Sequence, residues 1–277
     1  MPTIFITGAS SGLGKATAQL FAARGWQVIA TMRHPEHETD LTQLPGVHLL
    51  PLDVTDPAQI AAVVPQALAL GPVDVVFNNA GYGLIGALEA LSEEQITHVV
   101  NTNLLGVIRV TKAFVPHLRT RQTGCIISTT SMGGLLAFPL YSLYHATKWA
   151  VEGWSESLAF ELAPYNIRVK TVSPGGIATD FIGRSLQVAA HPAYAPLLQQ
   201  LLASQGEEQQ AHFSSAEAIA EVVYQAATDP QDQLRYPAGP DAVALYAQRL
   251  AVGPEAFRQG VAQQFGLPQP TPPAAAD

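Results

Sequence analysis

A chain of 277 residues, 48% of them hydrophobic, can bury a substantial core and lies within reach of one large α/β unit. Its formal net charge of -8, with no block of Lys or Arg, argues against a nucleic-acid backbone or an anionic membrane as the main partner. Cys125 is the single cysteine, which excludes an internal disulfide; no apolar run approaches the roughly 20 residues of a bilayer-spanning helix, and the first strand begins too soon after Met1 for a signal peptide, so a cytoplasmic protein acting on a small molecule is expected.

Thr3-Ile4-Phe5-Ile6 is a short β-branched and aromatic run that reads as a strand. Thr7-Gly8-Ala9-Ser10-Ser11-Gly12-Leu13-Gly14 follows, then an Ala-rich amphipathic stretch from Lys15 to Arg24, giving strand, glycine turn and helix. Glycine lets the backbone turn tightly and approach a ligand, while free amides and the positive end of the helix dipole face an anion such as a pyrophosphate. The spacing Gly-x-x-x-Gly-x-Gly is not the commoner dinucleotide pattern, so the strand-to-helix context carries the reading. Gly8 to Gly12 also spell the G-x-S-x-G elbow of serine hydrolases, an alternative that needs a later carboxylate and histidine and leaves the downstream motifs unexplained.

Further strand-like runs lie near 26–31, 47–52, 73–77, 124–130, 167–173 and 234–238, alternating with helical patterns at 13–24, 57–69, 93–118, 144–163 and 216–228. Such alternation specifies parallel strands with right-handed crossovers and helices on both faces, with a ligand at the carboxyl ends of the strands where the topology switches. One domain is expected over 1–265, with a substrate lid at about 180–213 and a disordered Pro- and Ala-rich tail over 266–277. Cys125, in Gly-Cys-Ile-Ile-Ser, reads as a core filler, and His34 with His37 as a solvated pair; no histidine shows metal-ligand spacing.

Tyr144 and Lys148 stand four apart in Tyr-His-Ala-Thr-Lys and share a helix face. An ammonium near a phenol favours the phenolate and lowers its pKa by roughly 1–3, which would let tyrosine act near neutral pH. His145 points roughly 100° away on an ideal helix and reads as structural.

With these motifs go Leu52-Asp53-Val54, Asn78-Asn79-Ala80-Gly81, Asn103-Leu104-Leu105-Gly106, Thr130-Ser131-Met132-Gly133-Gly134 and Pro174-Gly175-Gly176-Ile177-Ala178-Thr179. In this order and spacing the chain resembles the short-chain dehydrogenases/reductases from about residue 3 to residue 250, and Tyr144 to Leu162 looks like their steroid- and retinol-type branch. The resemblance implies a single-domain Rossmann fold with a doubly wound, seven-stranded parallel sheet in the order 3-2-1-4-5-6-7. It implies a catalytic set of Asn103, Ser131, Tyr144 and Lys148, with Asn101, Thr129 and Thr130 as neighbouring competitors. Tyr144 would be the acid/base for a carbonyl or alcohol, where charge grows on oxygen during hydride transfer. Ser131 would orient the substrate oxygen, Lys148 would bind the nicotinamide ribose, and Asn103 would hold a water near the lysine.

Cofactor contacts implied by the resemblance are Gly8, Ser10, Ser11, Gly12, Leu13 and Gly14 at the phosphates, Asp53 and Val54 at adenine, and Asn79, Ala80 and Gly81 along the adenosine side. Tyr144, Lys148, Pro174, Gly175, Ile177 and Thr179 would lie at the nicotinamide end. An acidic residue ending the second strand would select NAD(H); Thr31 stands there, and Arg33 could pair with a 2′-phosphate, so NADP(H) is favoured over NAD(H), although the neutral Ser11 counts the other way. Leu135, Leu136, Phe138, Leu140, Tyr141, Tyr82 and Leu84 would wall an apolar pocket for a hydrophobic ketone, aldehyde or alcohol. Surplus apolar positions at Val107, Val110, Phe114, Trp149 and Trp154 suggest a homodimer or homotetramer, as in the family. A nicotinamide-binding redox sensor without turnover is the rival from another class, and epimerase or dehydratase chemistry is open within the family.

Overall fold

The computed structural model describes residues 1–178, 186–204, 206 and 213–268. Period-two alternation in the central strands feeds two apolar layers. In β1 (Thr3–Thr7) Ile4 and Ile6 enter one layer and Phe5 the other. In β2 (Gln27–Met32) Val28 and Ala30 part from Ile29, in β4 (Val75–Asn78) Val75 and Phe77 from Val76, and in β6 (Gly124–Thr129) Cys125 and Ile127 from Ile126. Strands buried on both faces read as continuous apolar runs, as these do.

With β3 (Val47–Pro51), β7 (Ile167–Pro174) and β9 (Arg235–Ala238) they form a seven-stranded sheet in the order β3-β2-β1-β4-β6-β7-β9, parallel throughout. This is the expected order, renumbered because a separate two-stranded parallel sheet, β5 (Gly83–Gly86) with β8 (Leu186–Ala189), intervenes in the chain. Helices α1 (Gly12–Ala23) and α7 (Ala216–Thr228) cover one face through Leu13, Phe21, Ile219 and Val223. Helices α2 (Pro57–Ala69), α4 (Val107–Arg121) and α5 (Ser142–Leu162) cover the other through Ile60, Val63, Phe114 and Leu158.

Three expectations change. The helix read over 93–118 is α3 (Glu93–Val100), a π turn over Asn101–Gly106, then α4. Apolar periodicity does not register the extra residue of a wider turn, and here Gly106 lies so close to Val54 that a Cβ would sit 2.9 Å from its Cγ2. The lid region, read as poor in strands, contributes β8 and α6 (Ala195–Ala203), while α8 (Pro240–Val252) and α9 (Pro254–Gln264) were not anticipated. Val107, Val110 and Phe114 are not surplus: all three are buried in the core, and Trp154 packs against it, leaving Trp149 at 41% exposure. The tail from residue 269 onward lies outside the described residues.

Phe114 is fully buried, with its ring centroid 4.7 Å from that of Phe5, so it ties α4 to the central strand. Phe114→Ala is expected to cost about 3–5 kcal/mol in urea unfolding, through lost burial and the cavity left behind.

Candidate active site

The site begins where β1 and β4 part company. Gly8 has φ +69, and a Cβ there would lie 2.8 Å from the Ala80 Cα, so the turns after the two strands touch backbone to backbone. The Thr7 hydroxyl accepts from the amides of Asn79 (2.9 Å) and Ala80 (3.0 Å), and the Asn79 side-chain amide donates to the Thr7 and Gly8 carbonyls. A Cβ on Gly14 would strike the Gly8 carbonyl oxygen, so this glycine serves close packing and does not line the cleft. Asn78 donates to Thr111 at 2.9 Å and is structural.

A cleft of about 1080 Å³ opens from this switch point. Gly8, Ser10, Ser11, Gly12, Leu13, Arg33, Asp53, Val54, Asn79, Ala80 and Gly81 line one part of it, and Ser131, Tyr144, Lys148, Pro174, Gly175 and Ile177 another. Thr179 lies outside the described residues. Ser11 is the N-cap of α1 yet makes no side-chain capping bond, so the helix start presents amides to the cleft as an anion-binding end would. That geometry fits the phosphates of a dinucleotide. Asp53 Oδ1 accepts from the Thr55 amide (2.8 Å) and hydroxyl (2.7 Å), a strand-end cap, which leaves Oδ2 for a ligand. The Thr31 hydroxyl donates to the Ile6 carbonyl at 3.0 Å and is fully buried, whereas Arg33 is exposed at the cleft.

Three adjacent hydroxyls end β6, and their partners separate them. Thr129 reaches Asn79 Oδ1 (3.4 Å), and Thr130 turns inward to Glu152 Oε1 (2.6 Å). Ser131 hydrogen-bonds Tyr144 and accepts from the Gly133 amide at 3.0 Å. Lys148 Nζ donates to the Thr129 carbonyl at 3.0 Å and sits 5.7 Å from the Tyr144 ring centroid. Electrostatics in these surroundings depart from the expected lowering of the phenol by Lys148. Burial pushes Tyr144 up to about 12, with only the Ser131 hydrogen bond pulling the other way, and burial draws Lys148 down to about 8. The phenol is thus protonated at neutral pH and the lysine is an ammonium.

Asn103 stands on the π turn, 1% exposed and not on the cleft wall. Its Oδ1 accepts from the Tyr82 amide (3.0 Å) and its Nδ2 donates to the Tyr82 carbonyl (2.9 Å). Both ends of the side chain are therefore engaged in holding the strand that leaves Gly81. Leu140, at φ +63, is in a left-handed conformation rare for a bulky residue just before α5, and its carbonyl accepts from Gly86.

Of the expected pocket walls, Tyr82, Phe138 and Tyr141 line the cleft, while Leu84, Leu135 and Leu136 are in the interior and Leu140 packs beside Ile85, Leu201 and Phe265. Leu186, Leu201 and Phe213, from the segment read as a lid, also line the cleft, and walls not named from the sequence are Met132, beside Ser131, and the distant Leu245 and Phe265, with His98, Thr102 and Asp241 as polar members. Asp241 Oδ2 accepts from the Gly176 amide at 2.7 Å, fixing the Pro174–Ile177 turn. A proline at 240 followed by an acid in a helix's first turn was the available signal, and it names no target. Among the described residues no group of three or more His, Cys, Asp or Glu is arranged to hold a metal.

His145 stacks on Tyr141 (5.1 Å between centroids, 12°) and abuts Gly133, where a Cβ would meet its ring at 2.5 Å. Burial lowers its pKa to about 4 from an unfolded value of 6.5. Between those values the unfolded chain binds more protons, so stability rises with pH: the contribution is complete above about 6.5 and lost on acidification toward 4. Urea unfolding at pH 7 and pH 4.5 is expected to show a loss for the native chain of up to about 3 kcal/mol beyond that of His145→Asn.

A family model described as short chain dehydrogenase matches residues 2–187. An uncharacterised oxidoreductase of Schizosaccharomyces pombe is 38% identical over 240 residues, covering 85% of this chain and 100% of that protein. The crystal structure of a short-chain dehydrogenase from Streptomyces avermitilis aligns with a TM-score of 0.82 and 32% identity over 95% of each chain. The structure titled ElxO with NADP bound aligns at 0.74 and 25% identity, over 88% of this chain and 99% of that one. The seven-stranded order, the glycine turn at the switch point and Ser131, Tyr144 and Lys148 around one cleft agree with these likenesses: the chain belongs to the short-chain dehydrogenase/reductase family of oxidoreductases.

Proposed function

We propose that the chain catalyses NAD(P)-dependent interconversion of a carbonyl and its alcohol on a fairly hydrophobic small molecule, with Tyr144 as acid/base and NADP(H) preferred. One observation carries the reading: the Tyr144 phenol, bonded to Ser131 and beside the Lys148 ammonium, shares a cleft with the uncapped start of α1. A nicotinamide cofactor bound there supplies the hydride.

The residues divide the remaining work. Tyr144, held in its protonated form by burial, gives its proton to the carbonyl oxygen as charge grows there. Ser131 fixes the phenol and the substrate oxygen relative to each other, and the Lys148 ammonium favours the phenolate left behind. Asn103, its side chain engaged by Tyr82, keeps the Gly81–Tyr82 backbone in place beside Lys148. Ser10 to Leu13 and Asp53 with Val54 hold the phosphates and adenine. Arg33 meets the 2′-phosphate, a reading supported by the inward turn of Thr31 and by the NADP of the ElxO structure. Phe138, Tyr141, Phe213 and Phe265 supply an apolar wall for the substrate. Trp149 and Phe160, 41% and 77% exposed and eleven positions apart on α5, support pairing with a second copy as dimer or tetramer.

In an assay following the reduced cofactor by absorbance across a panel of apolar ketones and aldehydes, Tyr144→Phe is expected to lower kcat by about 10²–10⁴-fold while cofactor still binds by fluorescence titration. Unchanged turnover in that variant would overturn the assignment. Arg33→Ala is expected to raise the KM for NADPH about tenfold, the loss of one charge-assisted pair, and to leave that for NADH nearly untouched.

A further inference from the structure

Glu152 follows Lys148 by one turn of α5 and is 3% exposed, and nothing in the mechanism above uses it. A carboxylate so far from water must be held by neighbours, and here they come from three strands. Oε1 accepts from the hydroxyls of Thr130 (2.6 Å) and Ser173 (3.0 Å), and Oε2 accepts from the Thr171 hydroxyl (3.1 Å) and Arg235 Nε (3.1 Å). Arg235 continues outward to Glu156 on the next turn. Gly134 lets the turn after Ser131 settle on the helix at this level: a Cβ there would lie 3.1 Å from the Lys148 carbonyl oxygen and 3.2 Å from Glu152 Cγ.

We propose that Glu152 is a positioning residue of the catalytic centre, its buried carboxylate fastening the end of β6 that carries Ser131 and setting a negative charge one helical turn from Lys148. The role rests on the reading of Tyr144 and Lys148 given above. Thr130 is the direct mechanical link, being bonded to Glu152 and adjacent in the chain to Ser131. The charge link runs along α5: burial draws the Lys148 ammonium down, and Glu152 works against that.

The other groups around this pair leave Glu152 as the only acid acting on the lysine at close range among the described residues. On α5 itself Lys148 faces Tyr144. β6 presents the Thr129 carbonyl, the π turn presents Asn103, and the turn after Ser131 presents glycine backbone. Tyr82, its ring tilted against that of His98 of α3 with centroids 5.2 Å apart, is the titratable group beyond Gly81, and burial pushes it up to about 12, so it stays neutral. β7 offers only hydroxyls, and β9 brings Arg235, whose positive charge opposes that of Glu152 at Lys148.

The test reads Lys148 directly, in protein labelled with ¹³C at lysine Cε, with the signal assigned by its loss in Lys148→Met. Glu152→Gln is expected to move the Lys148 titration to lower pH by about 1. Arg235→Gln, which leaves Glu152 charged and removes its cationic partner, is expected to move it to higher pH. The alkaline limb of kcat/KM for carbonyl reduction is expected to follow both, and Glu152→Asp to restore most of the native profile. A merely structural carboxylate would give no shift, or shifts of one sign in both variants, and either result overturns the proposal. If Glu152→Gln does not fold, judged by circular dichroism, Thr130→Val decides: cutting the bond to Glu152 is expected to lower kcat with the Lys148 titration unmoved, and an unchanged kcat overturns the proposal. Native protein that fails to turn over any carbonyl would count against the oxidoreductase chemistry proposed above, while the lysine titration would still test Glu152.

Discussion

Lys148 and Glu152, one turn apart on α5, are 5% and 3% exposed, and an ammonium and a carboxylate withdrawn from water are tolerated only where neighbours replace the lost hydration. The replacements come from the ends of β6, β7 and β9: the Thr129 carbonyl for the lysine, and Thr130, Thr171, Ser173 and Arg235 for the glutamate. These contacts hold helix α5 with Lys148 and Glu152 against those strands. Tyr144, on the preceding turn, is carried to Ser131 by the same docking.

The opposite wall has its own constraint, close approach of backbone. Gly8 against Ala80, Gly14 against the Gly8 carbonyl and Gly106 against Val54 each exclude a methyl group, so the turns after β1 and β4 are drawn together and the turn after β3 is drawn to the π turn. One wall is thus held by satisfied polar groups and the other by missing side chains. A dinucleotide spanning the two would bring its anionic part to helix amides and its ring toward the phenol. Beside this cleft the small β5–β8 sheet, α6 and α9 form a satellite apolar cluster around Ile85, Leu201 and Phe265, apart from the two main core layers.

Alternating strands and helices are visible in the amino-acid order because each strand of the main sheet alternates sides within an apolar run and each covering helix repeats at its own period. The glycine turn and the Tyr144–Lys148 pair were visible for the same reason, being local patterns within a few residues. The break at Asn101–Gly106 was not, since a π turn leaves apolar spacing nearly unchanged. Nor were β8, whose four residues are too few to establish a period, or α9, after which Phe265 reaches the cleft from the far end of the chain.

Sequence by itself determined the alternation of strands and helices, the glycine turn that opens α1 and the placing of Tyr144 and Lys148 on one helix face, because each is written in contiguous residues, whereas the order of the strands came only with the family resemblance. Tertiary structure decided the titration behaviour of that pair: a sequence-based pairing of opposite tendencies predicts a lowered phenol, yet burial dominates and raises it. It also decided which of three adjacent hydroxyls meets Tyr144, which apolar side chains face the cleft, and that a carboxylate on α5 stands against a lysine and an arginine from separate elements. Those are properties of distance and desolvation, which depend on what the fold places alongside a residue.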